Sequence, residues 1–264
     1  MTFKFIEIEN QGAVRRIWLN RPEKRNAQSQ ELLQELDDAF VAADRDPEIR
    51  AVILAGRGAH FSAGHDLDQA PRFVAGSIED HYDYEARFYI EYCLRIWDLR
   101  KPVIAQVQGA AVAGGFMIAN VCDLIIAAED AYFADPVVQT MASAATEILS
   151  HPYTMGLRRA KQFLYLGEKM GAEEAYRIGM VNRVVPTEAL ADEAMAMAQR
   201  ISMGSPFAMQ LLKRSLNRSA DMQGFRNAVQ AHFDTHMFGH TTEGFRALIA
   251  DGMKTALAKN KSVA

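Results

Sequence analysis

The apolar run Ala51-Val52-Ile53-Leu54-Ala55, followed by Gly56, Gly58 and then Phe61-Ser62-Ala63-Gly64-His65-Asp66-Leu67, constrains this chain most. Such a run between turn residues reads as a buried strand. Glycine directly after a buried strand lets the backbone turn sharply and leaves N–H groups unpaired and aimed into a cleft. The pattern recurs. Val103 to Val107 is a second strand, and Gly109-Ala110-Ala111-Val112-Ala113-Gly114-Gly115 follows it. Two unpaired N–H groups from two strand ends, converging on one point, make an oxyanion hole.

The rest of the chain supports an α/β architecture. Phe3 to Asn10 and Val14 to Leu19 alternate apolar and polar residues around Gly12, which predicts a hairpin. Ser29 opens a helix in which Leu32, Leu33, Leu36, Ala39, Phe40 and Ala43 recur at helical spacing. Ser77 to Leu99 is aromatic and helical, but its apolar residues are spread too broadly for one stripe. It therefore fills a core or lines a pocket. A helix starting near Gly114, a strand over 123–127 and an extended segment ending at Pro136 repeat the strand, turn and helix order. Glu147 begins a helix that Pro152 disturbs. The last third is helical and strand-poor. A core over residues 1–195 and a helical region over 196–264 follow from that shift.

Composition narrows the function classes. A net charge of −4 favours neither nucleic acid nor an anionic membrane. Two cysteines, Cys93 and Cys122, are too few for a disulfide framework or a cysteine-rich zinc site, and both sit in apolar surroundings. No apolar run approaches the roughly 20 residues of a membrane span, and the N-terminus has no signal-peptide pattern. A cytoplasmic protein is expected.

These motifs together resemble the crotonase superfamily, the enoyl-CoA hydratase/isomerase family. Arg21-Pro22-Glu23-Lys24-Arg25-Asn26-Ala27 is similar to its N-terminal signature, and the stretch from Phe61 to Leu67 to its first glycine turn. Lys101-Pro102 through Gly114-Gly115 to Cys122-Asp123 resembles the second turn. Ala172-Glu173-Glu174-Ala175, Gly179-Met180-Val181 and Thr242-Glu243-Gly244-Phe245 resemble later segments, with Leu248 where phenylalanine is usual. The resemblance implies a spiral of β-β-α repeats with a helical C-terminal part that builds homotrimers, often paired as hexamers. It implies a coenzyme A thioester as substrate or ligand, a place in fatty-acid metabolism, and no permanently bound cofactor. The oxyanion hole would be the backbone N–H groups of His65 and Gly114. Ala63, Asp66 and Leu67 would flank the substrate, and Lys24 and Arg25 would face the coenzyme A phosphates. Lys254 is a candidate to reach the nucleotide of a neighbouring subunit.

The pattern breaks where hydration chemistry needs it. The family's hydratases use two glutamates, and the matching positions here are Met117 and Val137. Neither side chain carries a proton, so both become candidates for lining the substrate pocket. General acid–base groups contribute about 10²–10⁴-fold each, so the usual hydratase mechanism is disfavoured, and so are simple isomerases that use the second position alone. Glu147 and His151, four apart and on one face if helical, are the candidate replacement acid/base pair. Alternatively, Glu147 caps a helix and His151 lies on the surface. The His65 side chain, at the hole itself, is a further candidate, whereas Asp66 reads as a turn residue. His232, His236 and His240 recur every four residues, but no carboxylate or cysteine motif accompanies them. They read as a polar or subunit-interface face, and no metal site is expected. Three readings stay open: an enolate-forming or lyase-type acyl-CoA enzyme, a thioester hydrolase, and a non-catalytic acyl-CoA-binding protein.

Overall fold

Alternating apolar residues form the expected hairpin: β1 (Ile6–Gln11) and β2 (Val14–Leu19) pair antiparallel around Gly12, at φ +58°. The computed structural model describes residues 2–69, 77–142 and 146–250. Ser29 caps α1 (Gln30–Arg45) by accepting a hydrogen bond from the Leu32 N–H. The apolar stripe that the spacing marks is the buried face of that helix. β3 (Ala51–Gly56) is buried at every position because it lies inside a six-stranded sheet covered on both faces. Then come α2 (Ile78–Glu85), a π-helical turn (Ala86–Glu91) and α3 (Tyr92–Asp98). The π-turn offsets the helical period midway, which accounts for the broad spread of aromatic residues.

The next segments build the spiral. They are β4 (Val103–Val107), β5 (Ala110–Val112) and α4 (Gly114–Asn120), then β6 (Leu124–Ala128), β7 (Tyr132–Ala134) and α5 (Val137–Thr140). β3, β4 and β6 run parallel in the large sheet, whose order is β1-β2-β3-β4-β6-β9. Ser62, β5 and β7 run parallel beside them in a small sheet. Each turn of the chain thus lays one strand in each sheet before its helix.

The remaining elements are α6 (His151–Met155), α7 (Leu157–Leu166), β8 (Met170–Gly171), α8 (Ala172–Arg177) and β9 (Arg183–Val185). Four helices follow: α9 (Leu190–Ser202), α10 (Pro206–Met222), α11 (Phe225–Gly239) and α12 (Glu243–Ala250). Ile53, Ile104 and Ile126 on one face of the large sheet pack against Leu190, Ala194, Met195 and Ala198 of α9. Val52, Leu54, Val103 and Ala105 on the other face join a core that includes α1, α4 and α11. The boundary at 195/196 falls inside α9, whose apolar face runs unbroken from Leu190 to Ala198. That helix belongs with the sheet.

A second correction concerns Glu147. The helix expected to start there starts at His151, with Pro152 in its first turn, where a missing N–H costs nothing. Glu147 lies before the helix and shares no helical face with His151. No helix among the described residues is long and apolar enough to cross a membrane.

Candidate active site

The two glycine turns meet. Asn26, fully buried at φ +53°, donates from Nδ2 to the carbonyls of Arg57 and His60 at 2.9 and 2.8 Å. Its Oδ1 accepts from the Arg21 N–H. The Ser62 hydroxyl donates to the Asn26 carbonyl and accepts from the Gly64 N–H. Arg21 pairs with Asp66 at 2.9 Å, which makes Asp66 a structural turn residue. The loop from Arg21 to Ala27 therefore buckles the first turn in place. Lys24 is half exposed and pairs with Asp68 at 3.0 Å, and Arg25 is exposed at φ +52°. Ala63 donates its N–H to the Arg25 carbonyl, and Leu67 is half-buried beside it.

Backbone pairing sets the direction of the His65 N–H. Gln28 donates its N–H to the Gly64 carbonyl and accepts from the Asp66 N–H, forming a parallel bridge with His65. In that arrangement the N–H of His65 points away from Gln28. The second turn lies close by. A Cβ built on Gly64 would sit 3.2 Å from the Gly114 nitrogen, and one built on Gly114 would sit 2.8 Å from His65 Nε2 and 2.7 Å from Gln28 Oε1. Ala113 just before it holds φ +48°, ψ −117°, a costly conformation for a residue with a Cβ. The first intrahelical bond of α4 comes from Met117 to the Ala113 carbonyl, so the N–H of Gly114 precedes the helical ladder.

Above this junction stands a buried polar cluster. His65 Nε2 lies 3.6 Å from Glu147 Oε1, an ion-pair distance beyond hydrogen-bond reach. Its ring stacks on Tyr89, centroids 3.7 Å apart at 21°. Burial pushes the Glu147 carboxyl up, but the imidazoles of His65 and His236 more than offset this, and it sits below the ordinary glutamate range. Burial, with Tyr84, Glu85 and Glu147, holds the Tyr89 phenol well above its usual value, so it stays protonated. Both ring nitrogens of His65, Glu147 Oε2 and Gln28 Oε1 are buried without a hydrogen-bond partner among the described residues. Such atoms fit a site that binds a polar ligand.

Glu147 thus meets His65 instead of His151. His151 is fully buried, which overturns the surface reading, and its Nε2 lies 3.2 Å from Asp135 Oδ2. Thr146 donates to the same oxygen at 3.1 Å, and the His151 ring stacks on Phe116. Met117 and Val137 are buried. The histidine stripe on α11 also differs from expectation: His236 is 1% exposed and contacts Glu85, and His240 Nδ1 lies 3.7 Å from the same carboxylate. Lys254 lies outside the described residues. Tyr89 falls in the aromatic segment expected to fill a core or line a pocket, whereas sequence reasoning missed Gln28, Glu85 and Asp135. Of these, Asp135 carried a local signal, a carboxylate between a buried apolar segment and Pro136.

Residues 9–261 match the family model for enoyl-CoA hydratase/isomerase. The chain is 37% identical over 262 residues to a putative enoyl-CoA hydratase of Mycobacterium tuberculosis, covering 92% of this chain and 82% of that one. A solved probable enoyl-CoA hydratase from Mycobacterium smegmatis superposes with a TM-score of 0.86 at 42% identity, over 96% of this chain and 98% of that one. An enoyl-CoA hydratase/isomerase from Xanthobacter autotrophicus superposes with a TM-score of 0.91 at 34% identity, over 100% and 99%.

Proposed function

The chain belongs to the enoyl-CoA hydratase/isomerase family, and from that premise we propose that it is an acyl-CoA enzyme that forms an enolate with His65 as its proton carrier. The thioester oxygen sits between the N–H groups of His65 and Gly114. The neutral imidazole takes a proton from the α-carbon, and the electron pair moves onto the oxygen that the two N–H groups hold. Glu147 keeps the resulting imidazolium stable, and returning the proton to a different carbon moves a double bond. One such group suffices for isomerisation. Hydration also needs a second group to activate water, and Met117 and Val137 supply none.

The observation that carries this reading is the His65–Glu147 pair, 3.6 Å apart, with the His65 ring against Gly114. Lys24 and Arg25, exposed at the mouth of the first turn, would meet the coenzyme A phosphates. Ala63 and Leu67 would flank the thioester, and Met117 and Val137 the acyl chain. A homotrimer, alone or paired as a hexamer, is supported by apolar side chains left open on one face of α10: Leu212 and Leu216, four residues apart, are 55 and 63% exposed.

Proton exchange tests the chemistry without choosing a substrate. Butyryl-CoA and crotonyl-CoA in deuterated water, followed by NMR, should gain deuterium at carbons next to the thioester or its double bond. His65→Ala keeps the backbone N–H and removes the imidazole, and exchange should fall about 10²–10⁴-fold. Crotonyl-CoA hydration at an ordinary hydratase rate would refute the argument from Met117 and Val137. Tight binding by calorimetry with no exchange would identify a carrier, and release of free coenzyme A a hydrolase.

A further inference from the structure

Glu85 closes α2, immediately before the π-helical turn, and is 5% exposed. A buried carboxylate costs several kcal/mol unless a cation compensates it. Facing it are His236, in the last turn of α11, and His240, the residue that caps that helix; they are four residues apart, so both rings leave one side of the helix end. His236 Nε2 contacts Glu85 Oε2, and His240 Nδ1 lies 3.7 Å from Glu85 Oε1. One ligand atom from each residue falls within 4.8 Å of the others. We propose that Glu85, His236 and His240 form a site for one divalent transition-metal ion of the Zn²⁺ type, joining α2 to α11.

The donor set fits that ion. Two imidazoles and one carboxylate suit Zn²⁺ and its neighbours better than Mg²⁺ or Ca²⁺, which take oxygen ligands. Metal–ligand distances of about 2.0–2.2 Å around a tetrahedral ion place donor atoms roughly 3.3 Å apart. His81, one turn before Glu85 on α2, has its ring centroid 6.4 Å from that of His240 and is a candidate for the fourth position, with water as the alternative. π-turns such as the one after Glu85 are frequent at functional sites. A dication here would also help hold the charge of Glu147, whose carboxylate interacts with His236.

The test is Co²⁺ titration of the full-length protein after chelator treatment, read by visible absorption. The expected result is one Co²⁺ per chain with a four- or five-coordinate spectrum that Zn²⁺ displaces. His240→Ala and Glu85→Gln should each weaken binding about tenfold or more, while His60→Ala leaves it unchanged. Zn²⁺ should raise the melting temperature of the wild type by mass action and leave that of His240→Ala unmoved. Absence of both Co²⁺ uptake and a Zn²⁺ shift in the wild type would overturn the site, whatever the variants do. Uptake that survives in folded His240→Ala and Glu85→Gln would also overturn it. None of these readouts depends on acyl-CoA turnover.

Discussion

Gly115→Ala asks whether the two turns hold each other in register. A Cβ at 115 would lie 2.9 Å from Ser62 Cβ and 3.0 Å from the Ser62 carbonyl carbon, with the carbonyl oxygen closer still. Carbon atoms in contact settle about 3.5–4.0 Å apart, so the turns must part by roughly half an ångström or more. Overpacking of this kind costs about 1–3 kcal/mol, which for a chain of this size lowers the melting temperature by roughly 2–12 °C. The geometric effect on chemistry is larger. Ser62 sits three residues before His65, and Gly115 directly follows Gly114, so the shift separates the two proposed oxyanion donors. Such donors act at about 2.7–3.1 Å, and losing one costs about 10²–10³ in rate. Deuterium exchange into butyryl-CoA should therefore fall about a hundredfold while a thermal melt shows a folded protein. Gly171→Ala is the control, since its Cβ would meet nothing within 4 Å and its φ is −71°. A folded Gly115→Ala that exchanges within about threefold of the wild type would refute the coupling of the turns.

Three further outcomes follow from buried charges and thiols. Lys213→Met removes the buried Nζ that lies 2.7 Å from Oδ2 of Asp123, whose side chain stays 21% exposed, and should cost about 1–3 kcal/mol in urea unfolding at neutral pH. Burial raises the Asp123 pKa despite Lys213, so its contribution favours folding below the unfolded carboxylate's pKa and is lost as pH rises through the folded one. The penalty in Lys213→Met should accordingly shrink toward acid, and a pH-independent difference would contradict this account. Glu147→Gln removes the carboxylate that lies 3.6 Å from His65 Nε2, so deuterium exchange should fall about a hundredfold, and an unchanged rate would detach Glu147 from the chemistry. Burial pushes both the Cys93 and Cys122 thiols up, so neither should react with iodoacetamide in the native protein at pH 8, and mass spectrometry after denaturation should find both alkylated.

Local chemistry accounts for what could be read in advance. The hairpin, the capped helix α1 and the two strand-turn units each depend on residues adjacent in sequence, such as Gly12, Ser29 and Gly114. Their signals survive without tertiary information. The polar pairs do not. Glu147 finds His65 and His236 finds Glu85 only after the spiral closes and α11 folds back over α2, contacts that no periodicity encodes. The misplaced helix start at Glu147 has a different origin. In sequence Pro152 reads as an interruption, but a proline two residues into a helix is equally a start signal. The π-turn after Glu85 hid itself in the same way, since one extra residue in the turn blurs the stripe on which a helical pattern rests.

The distribution of unfavourable terms bears on whether this site does chemistry or only binds. Each buried polar atom left unpaired costs about 1–3 kcal/mol, and His65, Glu147 and Gln28 contribute four such atoms around one point. Ala113 adds a strained backbone worth about 1–3 kcal/mol at the same place. A pocket that only held an acyl chain would be more stable with apolar residues at positions 65 and 147, because buried polar atoms without hydrogen-bond partners are costly. Met117 and Val137 show that apolar residues are tolerated in the neighbouring elements. The polar groups that remain are grouped where a thioester oxygen and its α-carbon would lie. A bound thioester would give those atoms partners and recover part of that cost, and the proposed proton transfer would use both the imidazole and the carboxylate.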